Sequence, residues 1–489
     1  MKQKIKYFLL TLMLFIQVSC SNWMELIPPE GLIKEEFWKS KEDVEAVLMA
    51  AYESLSVMDR SLFLYGELRG DLLKGGLTQS TDEQNIMENN IYPDNSFCNW
   101  ANFYKVINYC NEVIKNAPLV QKIDNTFNDF HKQGYMAEAY FLRSLCYFYL
   151  VRIYHEVPLM FDPTDSDNTD VYLPKSTEED VLTQIVNDLN ENRAYAPSGS
   201  FITIAANKGR ASKAAYDALL ADIALWRFKY DEVLIHVEKI EAVEDLLLMP
   251  GAKWFEIFYP GNSLESLFEF QYDGNIDQPN GTYDLTQQNS LQYSSSQKAI
   301  EMFAYEFTNE LVRGEDVSIA KISENNFIIW KYVGQAPDGK TVRSGTDRYS
   351  CNWIVYRLAD VLLMKAEALS QLGRYNEALQ IINEIRERAN IATRSIAFNA
   401  VAFEDAILEE RALEFAYEGK RWFDLLRMGR RNNYARKNKL IEVMVSNASS
   451  TQKRVLAAKL TNPLGWYLPI YNSEIERNIK LVQNPYYVY

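Results

Sequence analysis

The chain has 489 residues, 47% of them hydrophobic and 13% aromatic, enough for one large core or two merged ones. Its formal net charge of −15 disfavours nucleic acid and anionic membranes as partners, because phosphate contacts need Lys and Arg. The cysteines carry no CxxC pair, and the spacings of Cys98, Cys110, Cys146 and Cys351 fit no zinc pattern.

The chain opens on Lys2, Lys4 and Lys6, and Tyr7 to Val18 is almost wholly apolar. Twelve helical residues span about 18 Å, short of the about 30 Å of a bilayer core. Residues 1–19 therefore read as a secretory signal. Gln17-Val18-Ser19 before Cys20 resembles a bacterial lipoprotein box, with Gln17 where Leu is usual. An ordinary signal peptide with a cysteine nearby is the alternative. On the lipoprotein reading Cys20 is the lipidation site and first mature residue, acyl chains anchor the protein, and 20–36 is a tether. Nothing after Cys20 resembles a transmembrane helix, so the expected anchor is lipid only.

Helices are predicted at 99–117, at 136–154 and at 176–193. In "MAEAYFLRSLCYFYLVRIY" (136–154) aromatics fall on nearly every face, so that helix is expected to be central, with Cys146 a buried thiol. Ser176-Thr177-Glu178-Glu179 reads as a capped start with acids in the first turn. In 357–389, Leu358, Leu362, Ala366, Leu369 and Leu372 recur at three and four. Gly373 then breaks the pattern, and Tyr375, Ala378, Leu379, Ile382 and Ile385 restart it. This helix, tight turn, helix is the tetratricopeptide pattern, with Gly373 suited to a left-handed cap. A weaker copy lies 145 residues earlier: Ala221, Tyr230, Leu234 and Ile240 take the offsets of Ala366, Tyr375, Leu379 and Ile385, and Phe228 replaces the glycine. Residues 251–350 differ, being rich in Gly, Asn, Gln, Ser, Thr and Tyr with little helical period. A long irregular segment whose tyrosines argue against plain disorder reads as a functional, loop-rich insertion.

Motifs for chemistry are weak. "HEVPL" (155–159) has Leu159 where a zincin needs its second His, and no GxSxG, P-loop or GxGxxG occurs. Ser295 and Lys298 match SxxK without a KTG. "DPTDSDNTD" (162–170) lacks the central Gly and final Glu of a calcium loop and reads as a solvated acidic loop. Glu410, Glu414 and Glu418 are predicted on one helical face, accompanied by Arg411, Arg421 and Arg427. Carboxylates beside arginines stay ionised, which favours a structural charge network over catalysis. A Cys98–Cys110 bridge is left open.

Several stretches together resemble the SusD/RagB group of outer-membrane nutrient-binding lipoproteins of Bacteroidetes. They are "CSNWMELIPPE" at 20–30, "FWKSKEDVEAVLMAAYESL" at 37–55, "RGD" at 69–71, "AEAYFLRSLCYFYLVRIYHEVPL" at 137–159, "ILEERALEFAYEGKRWFDLLRMGR" at 407–430 and "YLPIYNSEIERNIKLVQNPYY" at 467–487. His155 stands where glycine is usual, and Tyr471 and Tyr486 replace Pro and Gly. The resemblance implies a mainly α, tetratricopeptide-like helical-repeat scaffold with an inserted irregular ligand-binding region. The expected units are 37–250, 251–350 and 351–489. It also implies a non-enzymatic protein without cofactor or metal, lipid-anchored at the outer membrane and facing the exterior. Such a protein captures an oligosaccharide, or in some branches a peptide, for a SusC-like TonB-dependent transporter; a repeat scaffold for envelope assembly is the other alternative. Sugar rings stack on aromatic faces flanked by amides and carboxylates. The expected ligand-binding residues are therefore loop aromatics: Tyr65, Tyr92, Phe97, Tyr272, Tyr283, Tyr293, Trp330 and Tyr332. Asn90, Asn275 and Gln292 are their polar neighbours, while Trp100, Tyr104 and Trp422 are expected in the core.

Overall fold

The computed structural model describes residues 37–164, 172–199, 201–287, 292–306, 312–324, 326–446, 448 and 450–488. Cys20, the signal, the tether and most of the acidic 162–170 stretch lie outside them.

Helices dominate, as predicted. The first ones are α1 (Lys41–Ser56), α2 (Asp59–Glu67), α3 (Thr81–Met87), α4 (Ala101–Val120), α5 (Asp129–Tyr154) and α6 (Glu178–Asn192). They are followed by α7 (Lys213–Trp226), α8 (Tyr230–Glu241), α9 (Leu358–Gln371), α10 (Tyr375–Arg388), α11 (Ala400–Glu414) and α12 (Arg421–Tyr434). Side-chain caps set several starts. Ser40 and Asp43 close a capping box on α1, and Thr177, not Ser176, caps α6 by accepting from the Asp180 N–H at 3.2 Å. Helix α5 is the central one: from Ala137 to Tyr154 all but Tyr140 are buried.

Each helix packs on the next in the order α1, α4, α5, α6, and again in the order α7, α8, α9, α10. The two hairpins read from sequence, α7–α8 and α9–α10, thus stack through α8 on α9 in the tetratricopeptide manner. Gly373 ends the second with φ +76°, and Phe228 takes the same left-handed conformation in the first, at φ +59°. His155 likewise closes α5 at φ +73°, where glycine is usual, held by Glu178 at 3.0 Å and by the Tyr467 ring at 4.6 Å.

The irregular insertion is fastened to the scaffold by short antiparallel pairs. β1 (Leu73–Gly75) pairs with β3 (Tyr293–Ser295), with Leu73 opposite Ser295. β2 (Ser266–Phe270) pairs with β6 (Trp353–Arg357), while β4 (Ile319–Ser323) and β5 (Asn326–Ile329) pair within the insertion itself. The insertion also builds its own small core from Trp254, Phe255, Phe258, Tyr283, Ile328 and Trp330.

A buried ionic network locks that insertion to α10 and α11. Arg357 reaches Glu265 at 2.7 Å, Glu414 at 2.5 Å and Glu418 at 2.9 Å. Arg313 bridges Glu410 and Glu414 at 2.9 and 2.8 Å, and Lys331 holds Glu418 at 2.9 Å. The predicted single helical face is corrected here: α11 ends at Glu414, and Glu418 follows a turn through Tyr417 at φ +68°. Glu410 and Glu414 share Arg313 from one helical face, as their spacing of four predicts, whereas Glu418 joins them because the turn folds back. Burial opposes ionisation of Glu414, yet Arg388, Arg357 and Arg313 outweigh it and hold its carboxyl well below the usual range.

The other sequence motifs are also joints. Asp71 pairs with Arg421 at 2.6 Å, and Arg69 lies over the Trp422 ring at 4.3 Å while donating to the Gly465 carbonyl at 2.7 Å. Beside them the Glu67 carboxylate accepts from the Gly419 N–H at 2.9 Å and the Lys420 N–H at 3.2 Å. Burial pushes Glu67 up to about 8, against the pull of those amides and of Arg421. The folded chain therefore keeps a proton that the unfolded chain releases near the ordinary value of 4.5. The contribution is fully present below that value and is lost as pH rises through about 8. Glu67→Gln, which keeps an acceptor for both amides, is expected to flatten the fall in melting temperature between about pH 5 and about pH 8. Parallel melting curves of the two proteins that keep the same slope would refute this.

Candidate functional site

A concave site forms on the scaffold between helix α2 and residues 96–102. Helix α2 supplies Arg60 and Ser61, and Asp59 beside them is buried, accepting from the N–H of Gly281 at 2.7 Å and from the Thr282 hydroxyl at 3.1 Å. Helix α3 starts on Ser80, whose hydroxyl accepts the Glu83 N–H while the Glu83 carboxylate accepts the Ser80 N–H. That box aims Glu83 inward. One of its oxygens takes Arg60 at 3.2 Å and Gln292 at 3.0 Å. Burial opposes ionisation of Glu83, but the hydrogen bonds from Ser80, Gln292 and Arg60 win and keep it below the usual range.

The opposite wall is the 92–102 turn. Asp82 accepts from the Ser96 N–H at 2.9 Å and hydroxyl at 2.6 Å, and the Phe97 carbonyl accepts from the hydroxyls of Tyr65 at 2.9 Å and Tyr154 at 3.2 Å. With both its carbonyl and its ring held, the latter edge-on against Tyr65 at 6.3 Å, Phe97 is a fixed apolar wall. The cleft between, about 310 Å³, is lined by Arg60, Ser61, Ser96, Phe97, Asn99 and Asn102. The Arg60 side chain is 49% exposed, leaving donors of its fork free to bind a polyhydroxylated or carbonyl-bearing ligand. On the far side of α3 lies a larger cleft of about 1160 Å³, rimmed by Lys74, Gln79, Gln84, Lys298, Glu301 and Lys459. Among the described residues no aromatic ring lines it.

The eight aromatics expected to bind ligand are scattered. Phe97 lines the cleft, Tyr65 supports it from behind, and Tyr92, 45% exposed, precedes the same turn. The other five are buried. Tyr272 donates to the Ser56 carbonyl, Tyr332 to the Tyr417 carbonyl and Trp330 to the Ala336 carbonyl; Tyr283 packs on Tyr349, and Tyr293 on Phe63. They fill core because an irregular segment has no period to tell inward from outward, and large aromatics there bury first. Of the polar neighbours, Gln292 joins Glu83, Asn90 accepts from Lys459, and Asn275 is exposed and tied to Asp273. Arg60, Ser61, Asn99 and Asn102 line the cleft without being loop aromatics, so the expectation from stacking did not include them. Paired Asn residues flanking the start of α4 were the available signal. Trp100 and Trp422 are core as expected, but Tyr104 is only partly buried.

The alternative of chemistry at the 410–424 carboxylates finds no open oxygen in Glu410, Glu414 or Glu418. Each oxygen is met by Arg313, Arg386, Arg357, Arg388 or Lys331. Ser295 of the SxxK match is buried and accepts from the Tyr417 hydroxyl at 2.9 Å. Cys98, Cys110, Cys146 and Cys351 are free buried thiols, so the bridge left open between Cys98 and Cys110 is not made. Among the described residues no helix is long and apolar enough to cross a membrane.

Comparison with known proteins points one way. Residues 251–487 match the family model described as "SusD family", and residues 22–225 one described as "Starch-binding associating with outer membrane". SusD-like protein P38 of Formosa agariphila is 27% identical over 96% of this chain and 98% of its own. The starch-binding protein SusD of Bacteroides thetaiotaomicron is 38% identical over 21% of this chain and 17% of its own. Among solved structures, a SusD superfamily protein from Bacteroides vulgatus superposes with a TM-score of 0.75 at 19% identity, covering 92% of this chain and all of that one. A laminarin-binding SusD-like protein superposes at 0.71 with 20% identity, covering 91% and 99%.

Proposed function

The chain belongs to the SusD family, and on that premise we propose that it is a surface-exposed binding lipoprotein which captures oligosaccharides and hands them to a SusC-like TonB-dependent outer-membrane transporter. Lipid on Cys20 holds it at the membrane, and its work is capture without chemistry. The observation that carries this reading is the cleft between helix α2 and residues 96–102. A half-exposed Arg60 and the amides of Asn99 and Asn102 face a fixed Phe97 wall, the mixture that a sugar ring needs. The buried ionic network that fastens the insertion to α10 and α11 supports a rigid frame, since Glu410, Glu414 and Glu418 are each met by cations.

The test is calorimetric titration of the lipid-free mature chain with laminarin, soluble starch and a mixed peptide digest. Binding of one glucan is expected, with no new reducing ends after long incubation. Arg60→Ala combined with Asn102→Ala, both solvent-facing, is expected to weaken it roughly tenfold, the loss of one charge-assisted hydrogen bond, with an unchanged melting temperature. Binding of the digest alone would replace glycan by peptide. Binding of neither, or copurification of the lipidated protein from mild detergent without a large β-barrel, would overturn the corresponding half of the proposal.

A further inference from the structure

The described fold begins at Phe37, where the 20–36 tether ends. Fully extended, that tether reaches no more than about 60 Å. Four residues on, the Lys41 N–H donates to the Asp124 carboxylate at 2.9 Å. The tether therefore leaves the body beside the connection between α4 and α5. Asp124 also fixes that connection, accepting from the Thr126 N–H at 2.8 Å and hydroxyl at 2.7 Å. Beneath it, Phe127 is buried and packs on the Tyr135 ring at 5.9 Å.

This rigid corner carries large apolar side chains that the fold leaves uncovered. Leu119 is 51%, Ile123 63% and Phe130 81% exposed. Leu119 and Ile123 are four apart at the end of α4, and a hydrogen bond from Gln121 to Asp129 at 2.9 Å brings the start of α5, with Phe130, against them. A single exposed apolar residue is ordinary on a protein surface. Three on one connection, at the exit of an acylated tether, are the composition of a lipid-facing corner. The acids there are occupied: Asp124 holds its turn and the Lys41 amide, and Asp129 takes Gln121 and Lys132. Lys122 is exposed, and its stem can lie along lipid with the ammonium at the headgroups. The net charge of −15 is thus not what this corner presents to a membrane.

Resting on the lipid-anchor reading above, we propose that the α4–α5 connection rests in the headgroup layer of the anchoring membrane, with Leu119, Ile123 and Phe130 at the acyl boundary. Acyl chains supply the affinity, and the connection supplies orientation. The Arg60 cleft lies at the other end of α4, whose 20 residues set it about 30 Å from that corner, so it opens away from the lipid.

The described cysteines are buried, so an introduced exposed thiol alone takes a fluorophore. The experiment puts labelled, lipidated Phe130→Cys and Leu77→Cys on phosphatidylcholine vesicles containing nitroxide lipid. Leu77, 92% exposed just before α3 at the cleft end, is the control. Quenching at 130 is expected to be at least threefold stronger than at 77. Adding Leu119→Asp and Ile123→Asp should bring it down to the control level without releasing the protein, because the acyl chains remain. Equal quenching at both positions, or quenching at 130 indifferent to the aspartates, would overturn the proposal. So would a label at 130 already shielded from iodide without lipid, since another protein surface would then cover the corner. Mass spectrometry separates the remaining case: a mature chain with no acyl group on Cys20 removes the anchor reading and this proposal with it.

Discussion

Glu414→Gln is expected to lower the free energy of unfolding by about 3–5 kcal/mol, the cost of breaking a buried ion pair from one side. Glu414 is fully buried and accepts from Arg313 at 2.8 Å, Arg357 at 2.5 Å and Arg388 at 2.5 Å. An amide keeps the shape but removes the negative charge and turns one acceptor into donors that face guanidinium groups. Four buried cations, Arg313, Lys331, Arg357 and Arg386, and the partly buried Arg388 would then face three remaining buried anions, Glu265, Glu410 and Glu418. Arg388 is the one of these near enough to solvent to swing away, which sets the lower end of the range. Denaturant titration of the two proteins measures the difference directly. A loss under about 1 kcal/mol would mean that the network is solvated and does not fasten the insertion. The same variant separates binding from catalysis: folded Glu414→Gln should hold glycan as the wild type does.

Gly66→Ala is expected to cost about 3 kcal/mol or more, at or beyond the upper end of overpacking. A Cβ on Gly66 would sit 1.9 Å from the Gly419 carbonyl oxygen and 2.2 Å from its carbon. Gly419 has nowhere to go. Its φ is +71°, and Trp353 already lies 2.7 Å from where its own Cβ would be. Either the α2 helix or the 415–420 turn must therefore shift, and the amides of Gly419 and Lys420 would leave Glu67. Gly134→Ala is the control: nothing lies within 4 Å of its Cβ, and it stands in helix α5. It should stabilise by about 0.5–1 kcal/mol through helix propensity alone. Equal melting temperatures for the two variants would show that the contact between α2 and the turn is not what joins the ends of the chain. Because Arg60 rides on α2, a displaced helix should also weaken glycan binding in Gly66→Ala.

Much of the scaffold was legible residue by residue. The repeat from Leu358 to Ile385 and its weaker copy were read from period alone, because a helix that buries one face must repeat its apolar residues every three or four positions. Even Phe228 in the glycine position marked a real left-handed turn. The arginines accompanying Glu410, Glu414 and Glu418 pointed to ion pairing, and pairing is what the structure holds.

The sequence by itself therefore determined the helices, their hairpin pairing, the family and the charge network around Glu410, Glu414 and Glu418. All of these follow from local spacing or from motifs that keep their order along the chain. Tertiary structure alone decided which aromatics are wall and which are core, since Tyr272, Tyr283, Tyr293, Trp330 and Tyr332 became buried only when the insertion folded on its own small core and on the scaffold. It also decided the partners of the network: Arg313, Lys331 and Arg357 lie 101, 87 and 57 residues from the Glu414, Glu418 and Glu414 carboxylates they bind. Contacts between segments far apart in the chain have no period, so no local pattern in the residues encodes them.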